Sequence, residues 1–413
     1  MRFIKLQEQY PNVSNVCHYI QKLGRRQGLF LINFRLQGKI RFRLTGMCSS
    51  SIITKIMHEQ DKIIGSEREK HEKTVLVTGG AGFIGSNFIR YWLENHPQDS
   101  IVNLDLLTYA GNLTSLDDVT SRYGNRYSFI QGNIGNTELV DHLVRVRKPT
   151  IVVNFAAESH NSRSIVNPGL FFETNVMGTQ RLLDVVAHSD GVERFHHIST
   201  CEVYGDLDLE SDQRFTEESP YRPKSPYNSS KASADMLVRA YHETFGVPVT
   251  ISNCSNNYGP YQFPEKLIPH FITSVLEGKK MTLYKQSHNK REWLHVDDHC
   301  RAIDLVINNG NVGETYNIGS GTEVDIETVA AMILNHLNLD GSYKSYVEDR
   351  PSHDRRYLLD ASKIRSQLGW EPKIEFEQGL YETINWYLKN RGWWEPLIKK
   401  LSVEETSWAE VKK

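Results

Sequence analysis

Cysteine is scarce, with five in 413 residues (Cys17, Cys48, Cys201, Cys254 and Cys300), and no two form a C-x-x-C pair. That spacing suits neither a zinc site nor a disulfide framework, and a reducing cytoplasmic compartment fits it best. Long apolar runs are missing as well. The early stretch from Gly28 to Phe34 falls far short of the roughly 20 residues needed to cross a bilayer, so a soluble chain is expected. Neither sign of charge is in excess. With 48 Lys+Arg against 50 Asp+Glu, the net charge of −2 gives no general reason to expect nucleic acid or an acidic membrane as partner. No His/Asp/Glu cluster has ligand spacing, so no metal is expected. His196 and His197 fall inside a strand pattern and are expected to pack.

What is present changes character near residue 72. Upstream, basic residues recur (Arg2, Lys5, Lys22, Arg25, Arg26, Arg35, Lys39, Arg41, Arg43), and Glu8 is the one acid before Ile56. The composition is like that of an organelle transit peptide, but it shows neither sustained amphipathicity nor a cleavage signal. The expectation is a poorly ordered extension over 1–72, with targeting or an upstream mis-start as alternatives. From Lys73 onward, short Val- and Ile-rich runs alternate with helical periods. Strands are expected at Thr74 to Thr78, Ser100 to Asp105, Tyr127 to Gln131, Thr150 to Phe155, Phe195 to Ser199 and Pro248 to Asn253. Helices are expected at Phe83 to Asn95, Phe171 to His188, Asn228 to Phe245 and Phe376 to Asn390. Apolar strands without strict alternation are covered on both faces, which predicts an α/β fold with a parallel sheet between helices. After Asn256 the pattern is less regular, and Pro260, Pro264 and Pro269 read as a loop over a site.

The strand KTVLVT runs into Gly79-Gly80-Ala81-Gly82-Phe83-Ile84-Gly85 and then a helix. Three glycines at this spacing permit a sharp turn, a close approach to a pyrophosphate, and tight helix-on-strand packing. The helix N-terminus supplies free N–H groups to the phosphates. Asp105 ends the next strand, where a ribose-binding acid is expected, and an acid there favours NAD over NADP. The alternative is a merely structural glycine turn. Further on, Tyr227 and Lys231 stand four apart in SPYNSSK, on one helix face. An ammonium beside a phenol favours the phenolate, which can take a proton from an alcohol while a hydride leaves for nicotinamide. Thr200 closes the strand FHHIST at the carboxyl end of the sheet, where ligands bind in such folds.

These residues resemble the extended short-chain dehydrogenase/reductase superfamily and, more narrowly, the dTDP-glucose 4,6-dehydratase family. The matching pieces are DLLTYAGN (105–112), NFAAESH (154–160), ETNVMGT (173–179), STCEVYGDL (199–207), PYNSSKASAD (226–235), NCSNNYGPYQFPEKLIP (253–269), REWLHVDDH (291–299) and DRPSHDRRY (349–357). The resemblance implies a Rossmann-type doubly wound parallel sheet with a smaller C-terminal α/β substrate-binding domain, and a homodimer. The NAD-binding domain would span 73–255, completed by 290–320. The nucleotide-sugar domain would take 256–289 and 321–395, leaving 396–413 as a tail. Implied cofactor contacts are Gly79, Gly82, Phe83, Ile84, Gly85, Asp105, Asn133, Ile134, Ala156, Ala157, Thr174, Tyr227 and Lys231. Implied substrate contacts are Ser159, Asn256, Lys266, Leu267, Arg291, Arg350 and His353, and His160 would line the same site through its motif.

The implied chemistry is a redox-neutral elimination. Tyr227, with Lys231 and Thr200, oxidises the sugar at C4, and Glu202 removes the C5 proton made acidic by the new ketone. Water then leaves from C6 and hydride returns there. Several positions depart from the family pattern. Thr200-Cys201-Glu202 replaces Thr-Asp-Glu, so either the Cys201 thiol, or Glu202 or a water, must serve the departing hydroxyl, unless the dehydration is impaired or replaced. Leu106 replaces a lysine, Asn133 an aspartate, and Ser162 the aspartate of HVDRS. Thr282 replaces a proline, and Lys285-Gln286-Ser287 replaces a Gly-x-Gly turn. A UDP-sugar decarboxylase, a 4-epimerase and a catalytically silent NAD-binding protein remain alternatives on the same scaffold.

Overall fold

The computed structural model describes residues 2–6, 30–36, 40–46, 72–349 and 353–399, the first three as backbone alone. Met1–His71 and Glu72–Lys413 are separate units. In the first, Arg2–Leu6 pairs parallel with Phe30–Leu36, which pairs antiparallel with Ile40–Gly46. The rest of the extension lies outside the described residues.

The second unit is built on seven parallel strands: β1 (Thr74–Thr78), β2 (Ser100–Asp105), β3 (Tyr127–Gln131), β4 (Ile151–Asn154), β5 (Arg194–Thr200), β6 (Val249–Cys254) and β7 (Thr315–Ile318). Their spatial order is β7-β6-β5-β4-β1-β2-β3. The chain winds outward one way from β1 and then the other way from β4, leaving a crevice at the carboxyl ends where the direction reverses. Successive strand residues serve opposite faces. Val75 and Val77 join Phe88, Trp92 and Val153 in one core, while Leu76 joins Val102, Val152, Phe195 and Ile251 in the other. That double burial is why the runs read as continuously apolar.

Helix α1 (Phe83–Asn95) follows β1, and its N-cap Gly82 makes no side-chain cap. Helix α2 (Asn161–Val166) follows β4. The expected helix from Phe171 to His188 instead begins at Pro168 and ends at Ala187, with a π-helical turn over Phe172–Gly178. That wide turn accommodates Asn175, whose amide donates to the Glu158 carbonyl (3.0 Å) and Ser230 Oγ (2.8 Å). Helix α3 (Pro226–Phe245) has Ser225 as N-cap, accepting from Asn228 N, Pro226 at its first position and Gly246 at φ +70° after its end. These three residues fix both boundaries by ordinary capping rules.

Beyond β6 the chain is more regular than the sequence suggested. Asn256–Tyr258, Lys290–His295 and Glu323–Asp325 form a small sheet, and Met281–Tyr284 pairs parallel with Lys344–Val347. Phe271, Trp293, Ile326, Phe376, Leu380 and Trp394 close a third core around them. Pro269, expected in a loop, sits in the first turn of the helix Leu267–Leu276, where a missing N–H costs nothing. The final helix runs Phe376–Lys389 and a further one Arg391–Ile398. No described helix is long and apolar enough to cross a membrane.

Burial has a pH consequence. His197 and His270 are brought down to about 4 and His299 to about 3, burial being the leading cause in each. Folded pKa values below the unfolded value of about 6.5 mean each ring's neutral form is favoured. Its stabilisation is therefore whole above that pH and lost as pH falls towards the folded value. At about 1.4 kcal/mol per pH unit, each histidine is worth on the order of 3 kcal/mol across this window. Urea titrations should show the midpoint dropping steeply between about pH 6.5 and 4, and less steeply in His299→Asn. An unchanged slope in that variant would refute the assignment.

Candidate active site

Gly79 turns at φ +71° where β1 ends, and a Cβ there would lie 2.6 Å from the Ala156 backbone nitrogen. At Gly85 a Cβ would fall 2.5 Å from the Gly79 carbonyl oxygen. Both residues must therefore be glycine for the turn to nest against the strand beside it. Gly82 offers no capping side chain, and Gly82, Phe83, Ile84 and Gly85 line the crevice, so the start of α1 leaves backbone N–H groups for a phosphate. Asp105, ending β2, accepts from Ala81 N (2.9 Å) and Leu107 N (2.7 Å), and burial raises its pKa despite both bonds. Asn133 turns its Oδ1 onto Gly135 N (2.7 Å), keeping the β3 loop tight.

A cavity of about 390 Å³ lies along this edge. All thirteen residues expected to hold the dinucleotide line it: Gly79, Gly82, Phe83, Ile84, Gly85, Asp105, Asn133, Ile134, Ala156, Ala157, Thr174, Tyr227 and Lys231. Thr200 and Glu202 line it too. A second cavity of about 200 Å³ shares Ser159, Glu202, Asn256 and Lys266 with the first, and adds Leu267, Arg291 and His353. Arg350 lies outside the described residues. Arg291 is held by three backbone carbonyls, of Lys290 (2.8 Å), Asp354 (2.7 Å) and Arg355 (3.2 Å), and lies over the Tyr357 ring. His353 Nδ1 is 3.1 Å from Asp349 Oδ1. Of the changed positions, Thr282, Gln286, Ser287 and Ser162 border the second cavity, Leu106 and Asn133 the first, and Lys285 neither.

Among the described residues expected in the site, Cys201 alone borders neither cavity. It is 1 % exposed and packs with Val203, Tyr204, Ala232, Tyr357 and Leu359. Burial, reinforced by Glu202, pushes its thiol well above the ordinary range. A buried, weakly acidic thiol is a poor proton donor to a sugar.

Tyr227 and Lys231 do share a face of α3, but the expected depression of the phenol is absent. Burial raises Tyr227 well above its usual value, the Glu202 carboxylate adds to this, and a hydrogen bond with the Thr200 side chain opposes it. Lys231 Nζ instead donates to the Ile198 carbonyl (2.6 Å) and lies 3.4 Å from His197 Nε2. Burial lowers the lysine, and Asp235 opposes that. Asn154 fixes the histidine tautomer. Its Oδ1 accepts from Thr78 Oγ1 (2.6 Å), so its Nδ2 donates to His197 Nδ1 (3.2 Å), and the ring proton sits on Nε2, facing Asp235 Oδ1 (3.4 Å). A neutral ring thus stands between the buried ammonium and its carboxylate.

Several lining groups were passed over at the sequence level. Glu265 pairs with Arg163 (2.9 Å), which lies over the Tyr109 ring (3.7 Å). Glu158 is raised, chiefly by burial. Asn161 Nδ2 donates to Glu202 Oε2 at 2.7 Å. Tyr109, Glu158 and Glu265 belong to motifs quoted above while Asn161 and Arg163 lie just past NFAAESH, and the pairings span long sequence distances that spacing does not reveal.

The geometry suits a resident dinucleotide, and Gly79→Ala tests it. A methyl group at that φ and distance should abolish the binding of added NAD, as read by absorbance of the cofactor retained after gel filtration. Full retention would refute the cradle.

Residues 76–383 match the family model described as GDP-mannose 4,6 dehydratase. The chain is 48% identical over 339 residues to dTDP-glucose 4,6-dehydratase of Xanthomonas campestris pv. campestris, covering 78% of this chain and 94% of that one. Its fold is similar to the crystal structure of dTDP-glucose 4,6-dehydratase from Streptomyces venezuelae with NAD and dTDP bound. That match has a TM-score of 0.75 at 48% identity and covers 78% and 99% of the two chains. UDP-glucose 4-epimerase from Thermotoga maritima is a more distant neighbour, with a TM-score of 0.71 at 27% identity over 77% and 99%. With the glycine cradle, the tyrosine–lysine helix and Glu202 in one crevice and near-complete coverage of such relatives, the chain belongs to the dTDP-glucose 4,6-dehydratase family.

Proposed function

We propose that this protein is an NAD-dependent nucleotide-sugar 4,6-dehydratase converting dTDP-glucose to dTDP-4-keto-6-deoxyglucose and water. The convergence of Thr200, Glu202, Tyr227 and Lys231 on the dinucleotide crevice carries this reading. The cradle and Asp105 fit NAD, which when bound accepts and later returns a hydride. Tyr227, hydrogen-bonded with Thr200, takes the proton of the C4 hydroxyl. Lys231, anchored on the Ile198 carbonyl, keeps a positive charge under that end of the sheet. Once C4 is a ketone, the C5 proton is acidic, and Glu202 removes it. With Cys201 off the cavity wall, the same Glu202 returns that proton to the departing C6 hydroxyl. The C5–H and C6–O bonds break, and water leaves. C6 then takes back the hydride while C5 takes a proton from solvent, and Tyr227 releases the C4 hydroxyl proton to solvent, so atoms and charge balance.

Substrate contacts are assigned to Ser159, Asn256, Lys266, Leu267, Arg291 and His353. Leu170, Phe172, Met177 and Met236 are exposed apolar side chains on the helices flanking the site, and they support a homodimer formed through those helices. A reducing cytoplasm suits three described cysteines that are all free. Incubation with dTDP-glucose in deuterated water tests the reaction. A 4-keto-6-deoxy product bearing deuterium at C5 is expected, and carbon dioxide from a uronic acid substrate or simple C4 inversion would refute it.

A further inference from the structure

Glu202 does not stand alone at the cavity. Its Oε2 accepts from Asn161 Nδ2 at 2.7 Å, and Asn161 Oδ1 in turn accepts from Ser225 Oγ at 2.6 Å. The Ser225 oxygen also accepts from Asn228 N at 3.2 Å, closing the N-terminus of α3. This sets the direction of every bond in the chain. A carboxylate only accepts, so the Asn161 NH₂ faces Glu202, its Oδ1 faces Ser225, and the serine must donate its proton to that oxygen while accepting from Asn228 N. Asn161 occupies the first position of α2, and Ser225 sits two residues before Tyr227. The clamp therefore ties the group expected to act at C5 to the helix start that carries the group expected to act at C4.

We propose that Asn161 is the positioning residue for Glu202: it fixes the carboxylate through Oε2 and leaves Oε1 to take the sugar C5 proton. The inference rests on the dehydratase reading and deepens it. A hydrogen bond to a charged group is worth enough to change a rate by about 10- to 100-fold if it acts in the transition state.

The test uses the full chain loaded with NAD, its Asn161→Val and Asn161→Asp variants, and dTDP-glucose. Both variants should oxidise C4 normally and then stall, so that reduced nicotinamide accumulates in the near ultraviolet. Turnover should fall about 10- to 100-fold while KM stays within about twofold, the signature of an interaction used after binding. Deuterium entry at C5 should fall in step. Asn161→Asp matches the native side chain in size and retains the acceptor for Ser225, so it decides alone if the valine variant loses its fold or its NAD. Wild-type turnover without accumulated reduced nicotinamide in the deciding variant overturns the clamp alone. A wild-type protein that makes no 4-keto sugar from dTDP-glucose overturns the dehydratase reading and the clamp's catalytic role with it.

Discussion

Tyr227→Phe should cut turnover of dTDP-glucose by about 10²- to 10⁴-fold, with no reduced nicotinamide appearing at any time. The substitution removes one oxygen from a side chain that is 8 % exposed, so the fold should hold. If Tyr227 accepts the C4 proton as proposed, its loss blocks the first step, on which every later bond change depends. The wild-type enzyme also carries a pH signature of this group. Burial and Glu202 keep the phenol protonated through the neutral range, so the reactive phenolate is a small fraction. That fraction grows about tenfold per pH unit below the raised pKa, and the oxidation step should quicken accordingly. Rapid-mixing absorbance across pH 6 to 9, an interval spanning roughly three decades of phenolate, checks both points. Unchanged turnover in the phenylalanine variant would remove Tyr227 from the mechanism.

Glu202→Gln should fail at a different place. The amide matches the carboxylate in shape and can still accept from Asn161, but it cannot take a proton. Oxidation at C4 should proceed, reduced nicotinamide should accumulate, and product release should fall by about 10²- to 10⁴-fold. The two variants therefore separate the halves of the reaction, one dark in the near ultraviolet and the other bright. Because Cys201 lies off the cavity wall, Cys201→Ser should turn over like wild type. If Glu202→Gln dehydrates at the wild-type rate, another group serves C5.

The ease with which the sequence could be read varied along the chain for physical reasons. Strands β1, β2 and β3 and helix α1 lie where their apolar runs end, because glycine and acidic residues punctuate them locally. The cofactor edge was legible for the same reason, since a glycine cradle and the next strand's acid are set by short spacing. Past β6, local pattern gave way to tertiary pairing. The strands there are three to six residues long, and Lys290–His295 finds its partners at both Asn256–Tyr258 and Glu323–Asp325. Four-residue spacing says that Tyr227 and Lys231 share a helix face, not where the ammonium points. Here the Ile198 carbonyl claims it. Asn161 was invisible for a similar reason, its partners Glu202 and Ser225 standing 41 and 64 residues away.

The sealed thiol next to Glu202 has a pharmacological corollary. Electrophilic warheads need a thiolate and a path to it, and Cys201 supplies neither. Cys254 borders the crevice, but its thiol is pushed up to about 12, so it too offers little nucleophile at neutral pH. Among the described residues the crevice thus offers no cysteine to trap, so blocking it calls for reversible mimics of the nucleotide, and peroxide at levels that disable exposed thiols should leave these two thiols unharmed.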